Sequence, residues 1–186
     1  SLGLPALEEG SKDAVMLKDF ADGIYTVHSI DPSGASGIVL AEIYDAGLGG
    51  EGRLTACAAR ARVGKGDAVG ILGFIVEGDW PAVVLLRAVG PGLVSQGVSD
   101  VLRDPKLWLY NGSQPVMGND NWGRAANMPL LSGTMKKIGA FDLEDGSKDA
   151  ALLIELEPGP YTMVVEGADG GEGVALMEVY LVPSAQ

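Results

Sequence analysis

The chain carries one stretch of its own sequence twice. Gly10-Ser11-Lys12-Asp13-Ala14 recurs as Gly146-Ser147-Lys148-Asp149-Ala150, and Tyr25-Thr26 recurs as Tyr161-Thr162. Leu40-Ala41-Glu42-Ile43-Tyr44 recurs as Leu176-Met177-Glu178-Val179-Tyr180. Every pair is 136 positions apart, and residues 1–44 align on 137–180 without a gap and with 17 identities. A repeat of this length sets the organisation before any element is assigned. The order is A–B–A′, with A at 1–47, B at roughly 51–132 and A′ at 137–183. Residues 51–183, B plus A′, make one full unit, and 1–47 reads as the tail segment of a preceding unit. A glycine-rich joint at Ala46–Gly52 separates A from B.

The segments read as short strands between glycine turns. In A′ these are Ala150–Leu156, Tyr161–Glu166 and Gly173–Val182, and A repeats them as Ala14–Phe20, Tyr25–Ser29 and Gly37–Tyr44. In B, the strands are Leu54–Val63, Ala68–Glu77, Pro81–Val89, Leu107–Tyr110 and Pro115–Met117. Glycine and proline together fill 38 of 186 positions, well above the ordinary share of about 12%. Hydrophobic residues make up 47%, enough for a core without disulfides. Arg124–Lys137 is the best helix candidate, against which Pro129 and Gly133 weigh. The expected class is all-β: an antiparallel β-sandwich, jelly-roll-like, with at most one short helix. Crossover helices for a parallel sheet are not visible.

Charge and residue counts exclude several functions. A net charge of −12 and a pI of about 4.3 argue against nucleic acid and against docking on anionic membranes. No apolar run reaches the 18 or so residues of a membrane-spanning helix. A signal peptide is not visible at Ser1, and the repeat favours a processed chain or a fragment of a longer protein. His28 is the sole histidine and Cys57 the sole cysteine, so zinc clusters are excluded and a catalytic triad would have to use a strand histidine with no nucleophile motif near it. Cys57, among alanines, reads as a small buried hydrophobe.

Leu-x-Glu-x-Tyr occurs in both copies. In a strand, Leu176, Glu178 and Tyr180 share one face, as do Leu40, Glu42 and Tyr44. Two such glutamates could be glycosidase carboxylates, yet a motif present twice in one chain reads as architecture, and no catalytic residue is assigned. Arg87 interrupts the apolar strand Val83–Val89, where a charge is costly unless paired. The expected partner is Glu178 or Glu42, as a structural ion pair. Asn119, Asp120 and Asn121 form an oxygen-rich loop that reads either as a turn or as a calcium site. Trp80, Trp108 and Trp122 read as packing residues or as a sugar platform. Gly64-x-Gly66-x-x-x-Gly70 fails the dinucleotide pattern and reads as a hairpin turn. Asn111-Gly112-Ser113 fits a glycosylation sequon or a tight turn.

Taken in order, Gly73-Phe74-Ile75-Val76, Val84-Leu85-Leu86-Arg87-Ala88-Val89-Gly90-Pro91-Gly92-Leu93, Asp104-Pro105-Lys106-Leu107, Asn119-Asp120-Asn121-Trp122, Gly146–Leu153, Pro158–Thr162 and Glu178-Val179-Tyr180 resemble a repeat of large secreted and cell-surface proteins of environmental bacteria, an adhesion-type extracellular β module. The resemblance covers nearly all of 53–183, and 10–46 matches the end of the same unit. Gly92 departs from it, standing where a serine or threonine is expected. The resemblance implies an extracellular, non-catalytic β-rich module; no cofactor is expected, calcium at Asn119–Asn121 aside. The expected function is structural or adhesive, in tandem arrays or filaments, with strand complementation between units as the means. Ala14, Val15, Met16, Leu17, Tyr25, Leu40 and Tyr44 of segment A would then meet other copies of the repeat or subunit. The alternative is a calcium-assisted module that binds surface polysaccharide.

Overall fold

Tyr161, Met163 and Val165 alternate with Thr162, Val164 and Glu166, the period-two pattern of a strand with one buried face, and the first three are buried. Eight strands form in the computed structural model, which describes residues 6–47 and 52–183. They are β1 (Ala56–Val63), β2 (Gly70–Val76), β3 (Ala82–Val89), β4 (Pro105–Asn111), β5 (Gln114–Asn119), β6 (Ala150–Leu156), β7 (Gly159–Gly167) and β8 (Gly173–Leu181). The chain divides into two units, Ser1–Leu54 and Thr55–Gln186.

The second unit is an all-β sandwich of two antiparallel four-stranded sheets, ordered β1-β8-β3-β6 and β2-β7-β4-β5. This is the strand order of a jelly roll: β1 pairs with β8, β2 with β7, β3 with β6 and β4 with β5. Leu86, Ala88, Leu152, Met177 and Val179 of one sheet meet Leu107, Leu109, Tyr161, Met163 and Val165 of the other in the main core. The outer face of the first sheet is covered as well. Helix α1 (Met128–Lys137) lays Leu131, Thr134 and Met135 against a second core with Leu85, Val89, Trp122 and Ala151. Pro129 is tolerated because it sits in the first turn, where no intrahelical partner for an N–H exists. Gly64–Gly70 is not a hairpin turn. It is the corner, with a 3₁₀ turn at Gly66–Ala68, by which the chain leaves one sheet for the other. A hydrophobic pattern marks a turn but does not say which sheet receives the next strand.

The strands expected at Ala14–Phe20, Tyr25–Ser29 and Gly37–Tyr44 are absent: described residues 6–47 hold no helix or strand. The topology gives the physical reason. β6 pairs only with β3, β7 with β2 and β4, and β8 with β1 and β3. No strand of the three neighbours another of the three. A segment of this kind contains no ladder of its own, so its backbone groups find partners only on β1–β4. The joint expected at Ala46–Gly52 lies mostly outside the described residues, at 48–51.

Candidate functional site

The closing segment A′ is held in the sandwich by two buried polar contacts as well as by its apolar face. The first joins β3 to β8. Arg87 and Glu178 are cross-strand partners, 0% and 4% exposed. Arg87 Nε donates to Glu178 Oε2 at 2.7 Å, and Nη2 lies 2.7 Å from the same oxygen. Nη1 donates to the Phe141 carbonyl at 2.6 Å, and the Phe141 ring centroid is 4.3 Å from the guanidinium carbon. Tyr180 donates its hydroxyl to Glu178 Oε1 at 2.6 Å. Burial, then this bond and the glutamate charge, push the Tyr180 phenol well above its usual range, against the opposing pull of Arg87. Of the two expected partners of Arg87, the structure assigns Glu178. Glu42 instead accepts the Tyr44 hydroxyl at 2.9 Å.

The second contact was not anticipated from sequence. Asp149, fully buried, accepts the Gly90 N–H at 2.8 Å and the Gly92 N–H at 3.2 Å, and Ser147 Oγ donates to it at 2.8 Å. A Cβ on Gly92 would stand 2.9 Å from Val89 Cγ1 and 3.3 Å from Asp149 Oδ2. The glycine at the place of an expected serine or threonine lets the backbone reach the carboxylate. Ser147 also accepts from Trp122 Nε1 at 3.2 Å. The readable signal was the recurrence of Ser-Lys-Asp in both copies, which looks like a solvated turn when taken alone.

Segment A retains the side chains of both contacts, as Ser11, Asp13, Glu42 and Tyr44. It also has the local geometry of A′. Ser11 N–H donates to Glu8 O at 3.0 Å, as Ser147 does to Glu144 at 3.0 Å. Gly34 N–H donates to Asp31 O at 3.0 Å, as Gly170 does to Gly167 at 2.9 Å. Gly10 and Gly146 have φ of 82° and 77°, Gly34 and Gly170 of 75° and 73°. Tyr25 donates to Ala21 O at 2.8 Å, as Tyr161 does to Glu157 O at 3.0 Å. The turns of A′ are thus present in A, and its strands are not. The residues named as assembly contacts, Ala14, Val15, Met16, Leu17, Tyr25, Leu40 and Tyr44, are all exposed, Val15 by 83% and Leu40 by 81%.

The other candidate residues are scattered. Asn119 Oδ1 accepts the Ala151 N–H at 3.1 Å, its Nδ2 donates to Asn121 O, and Asn121 Nδ2 donates to Asp120 Oδ1 at 2.8 Å. These bonds tie the end of β5 to β6 and shape the turn, and among the described residues no group of three or more His, Cys, Asp or Glu is placed to hold a metal. The tryptophans do not form a platform: Trp122 is buried under the sheet, Trp80 is exposed, and Trp108 lies across Gly118, whose Cβ would meet the ring at 2.6 Å. Asn111–Gly112–Ser113 is the β4–β5 turn, with Gly112 at φ 56°. Cys57 is half-buried, and that burial pushes its thiol pKa up, away from reactivity. His28 is exposed. No protein-family model matches the chain, and no curated protein matches it.

Proposed function

We propose that this chain is a non-catalytic structural or adhesive β module of the cell surface, whose units join in arrays by strand complementation. The observation that carries this reading is the second closing segment. Residues 6–47 hold the turns, the apolar strand residues and the polar side chains that make the contacts of A′, and they have no ladder partner. A jelly roll divides naturally in this way. Its last three strands interleave with its first four, so a body and a closing segment from different units can assemble one sandwich. Contacts of this head-to-tail kind do not close on themselves and build open assemblies. The resemblance to repeats of bacterial surface proteins, together with a net charge of −12, agrees with a solvated extracellular position. The test is negative-stain microscopy of the material isolated from its source, beside the solution mass of the purified chain. Ordered chains of particles with a constant spacing are expected in the material isolated from its source. Isolated particles of single-chain mass in both preparations overturn the reading.

A second reading is a polysaccharide-binding module. A shallow recess of about 320 Å³ beside Trp108, lined by Lys106, Asp120, Asn121 and Arg124, offers an aromatic edge with polar groups around it. Titration against a glycan panel with and without calcium tests it, and a flat response throughout removes it.

A further inference from the structure

Segment A differs from A′ at several positions that are fully buried in A′. Met177 is 2% exposed, and its Sδ lies 2.6 Å from where a Cβ on Gly70 would sit. Gly70 of β2 is therefore the space that the Met177 side chain fills. Segment A carries Ala41 at this place. Against the present body it would leave that space empty. The opposite change occurs elsewhere. Ala151 and Ala175 are both 0% exposed, and their counterparts in A are the larger Val15 and Val39. Val165, also 0% exposed, is replaced by Ser29, whose hydroxyl needs a partner that this core does not offer. Gly173, whose Cβ would come within 2.5 Å of the Val101 and Leu102 backbone, is kept in A as Gly37. The architecture is preserved while the volumes are redistributed.

We infer that segment A closes a homologous body other than this chain's own, one whose β2 carries a side chain where Gly70 stands here. The inference rests on the reading of 6–47 as a closing segment. Its chemical content is a pair of complementary codes: glycine on the body with methionine on the segment, and a larger residue on the body with alanine on the segment. Cores reject both added and removed volume, so the codes keep each body with its own segment while sharing the same polar contacts. A unit of this kind orders an array, because a closing segment discriminates between neighbours of the same fold.

The test extends the full chain with a copy of its own residues 52–136 placed directly ahead of Ser1. The junction from Lys136 to Ser1 then falls at the spacing of the repeat, and the native unit stays whole as an internal reference. Amide hydrogen exchange is read over 14–44 and 150–181, with Gly70→Ala made either in the added body or in the native one. In the added body, Gly70→Ala should raise the protection of 14–44 by about tenfold, the factor for roughly 1.4 kcal/mol. In the native body the same change should lower the protection of 150–181. A gain or a loss of the same sign in both bodies overturns the inference and leaves the closing-segment reading intact. Exchange over 14–44 as fast as in an unpartnered chain beside both forms of the added body overturns the inference, since position 70 would then not decide the fit.

Discussion

Arg87 and Glu178 sit directly opposite one another on adjacent strands, both buried, with the guanidinium Nε 2.7 Å from the carboxylate. The pair joins the body to its closing segment across 91 residues of sequence. It fixes register, because sliding β8 by one residue would carry Glu178 to the opposite face of the sheet and leave Arg87 without its partner.

Removing one side of this pair leaves the other charge buried. Arg87→Ala is expected to cost about 3–5 kcal/mol of folding stability, read as a lowered urea midpoint with an unchanged slope. Replacing both residues by apolar ones of similar volume, Arg87→Met with Glu178→Leu, should recover most of the loss. An Arg87→Ala chain as stable as the parent would show that the charge is not confined.

Asp149 is a separate anchor. Its carboxylate satisfies the N–H groups of buried Gly90 and half-buried Gly92. Asp149→Ala should cost about 2–6 kcal/mol, at about 1–3 kcal/mol for each of the two backbone donors left without a partner. Asp149→Asn should cost less. In segment A of the lone chain, Asp13→Ala should leave the thermal midpoint unmoved.

Tyr180 links stability to alkaline pH. Its phenol titrates above the ordinary value of 10.0 in the folded chain, through burial and the bond to Glu178. The unfolded state therefore releases this proton first, and stability falls as pH rises through 10 and beyond. Denaturation midpoints measured from pH 9 to 11.5 should decline, and Tyr180→Phe should flatten the decline while lowering the starting stability. Equal slopes in the two chains would contradict the assignment.

The glycine pair separates shape from sequence. Gly173→Ala forces a Cβ into the Val101–Leu102 backbone and should cost about 1–3 kcal/mol or more. Gly37→Ala, at the same place in the repeat, meets nothing within 4 Å and should be silent in the lone chain. Thermal melts of the two variants make the comparison.

Much of the sandwich was legible because strands announce themselves by period. β6 and β8 fall within a residue of the expected bounds, and an arginine inside an apolar strand pointed to its own partner. The period encodes a pleat, however, and not a neighbour. Val15, Leu17 and Leu40 alternate as well as their counterparts in A′, yet 6–47 hold no strand, because a ladder needs a second chain segment that the pattern cannot name. The corner at Gly64–Gly70 was misjudged for the same reason. The role of Asp149 is hidden because its two backbone donors lie more than fifty residues away, and only Ser147, two residues before it, leaves a mark in the local sequence. The burial of Trp122 follows from tertiary packing under β3 and β6, and a loop sequence carries no signal of it.

One sequence pattern occurs here in two states, ladder-paired in A′ and without a ladder in A. Peptide-resolved amide hydrogen exchange of the intact chain at low concentration measures this directly. Slow exchange over 150–181 beside exchange near the unprotected rate over 14–44 is the predicted result. Equal protection of the two copies in the lone chain would contradict it, since segment A would then have found its strand partners without another unit.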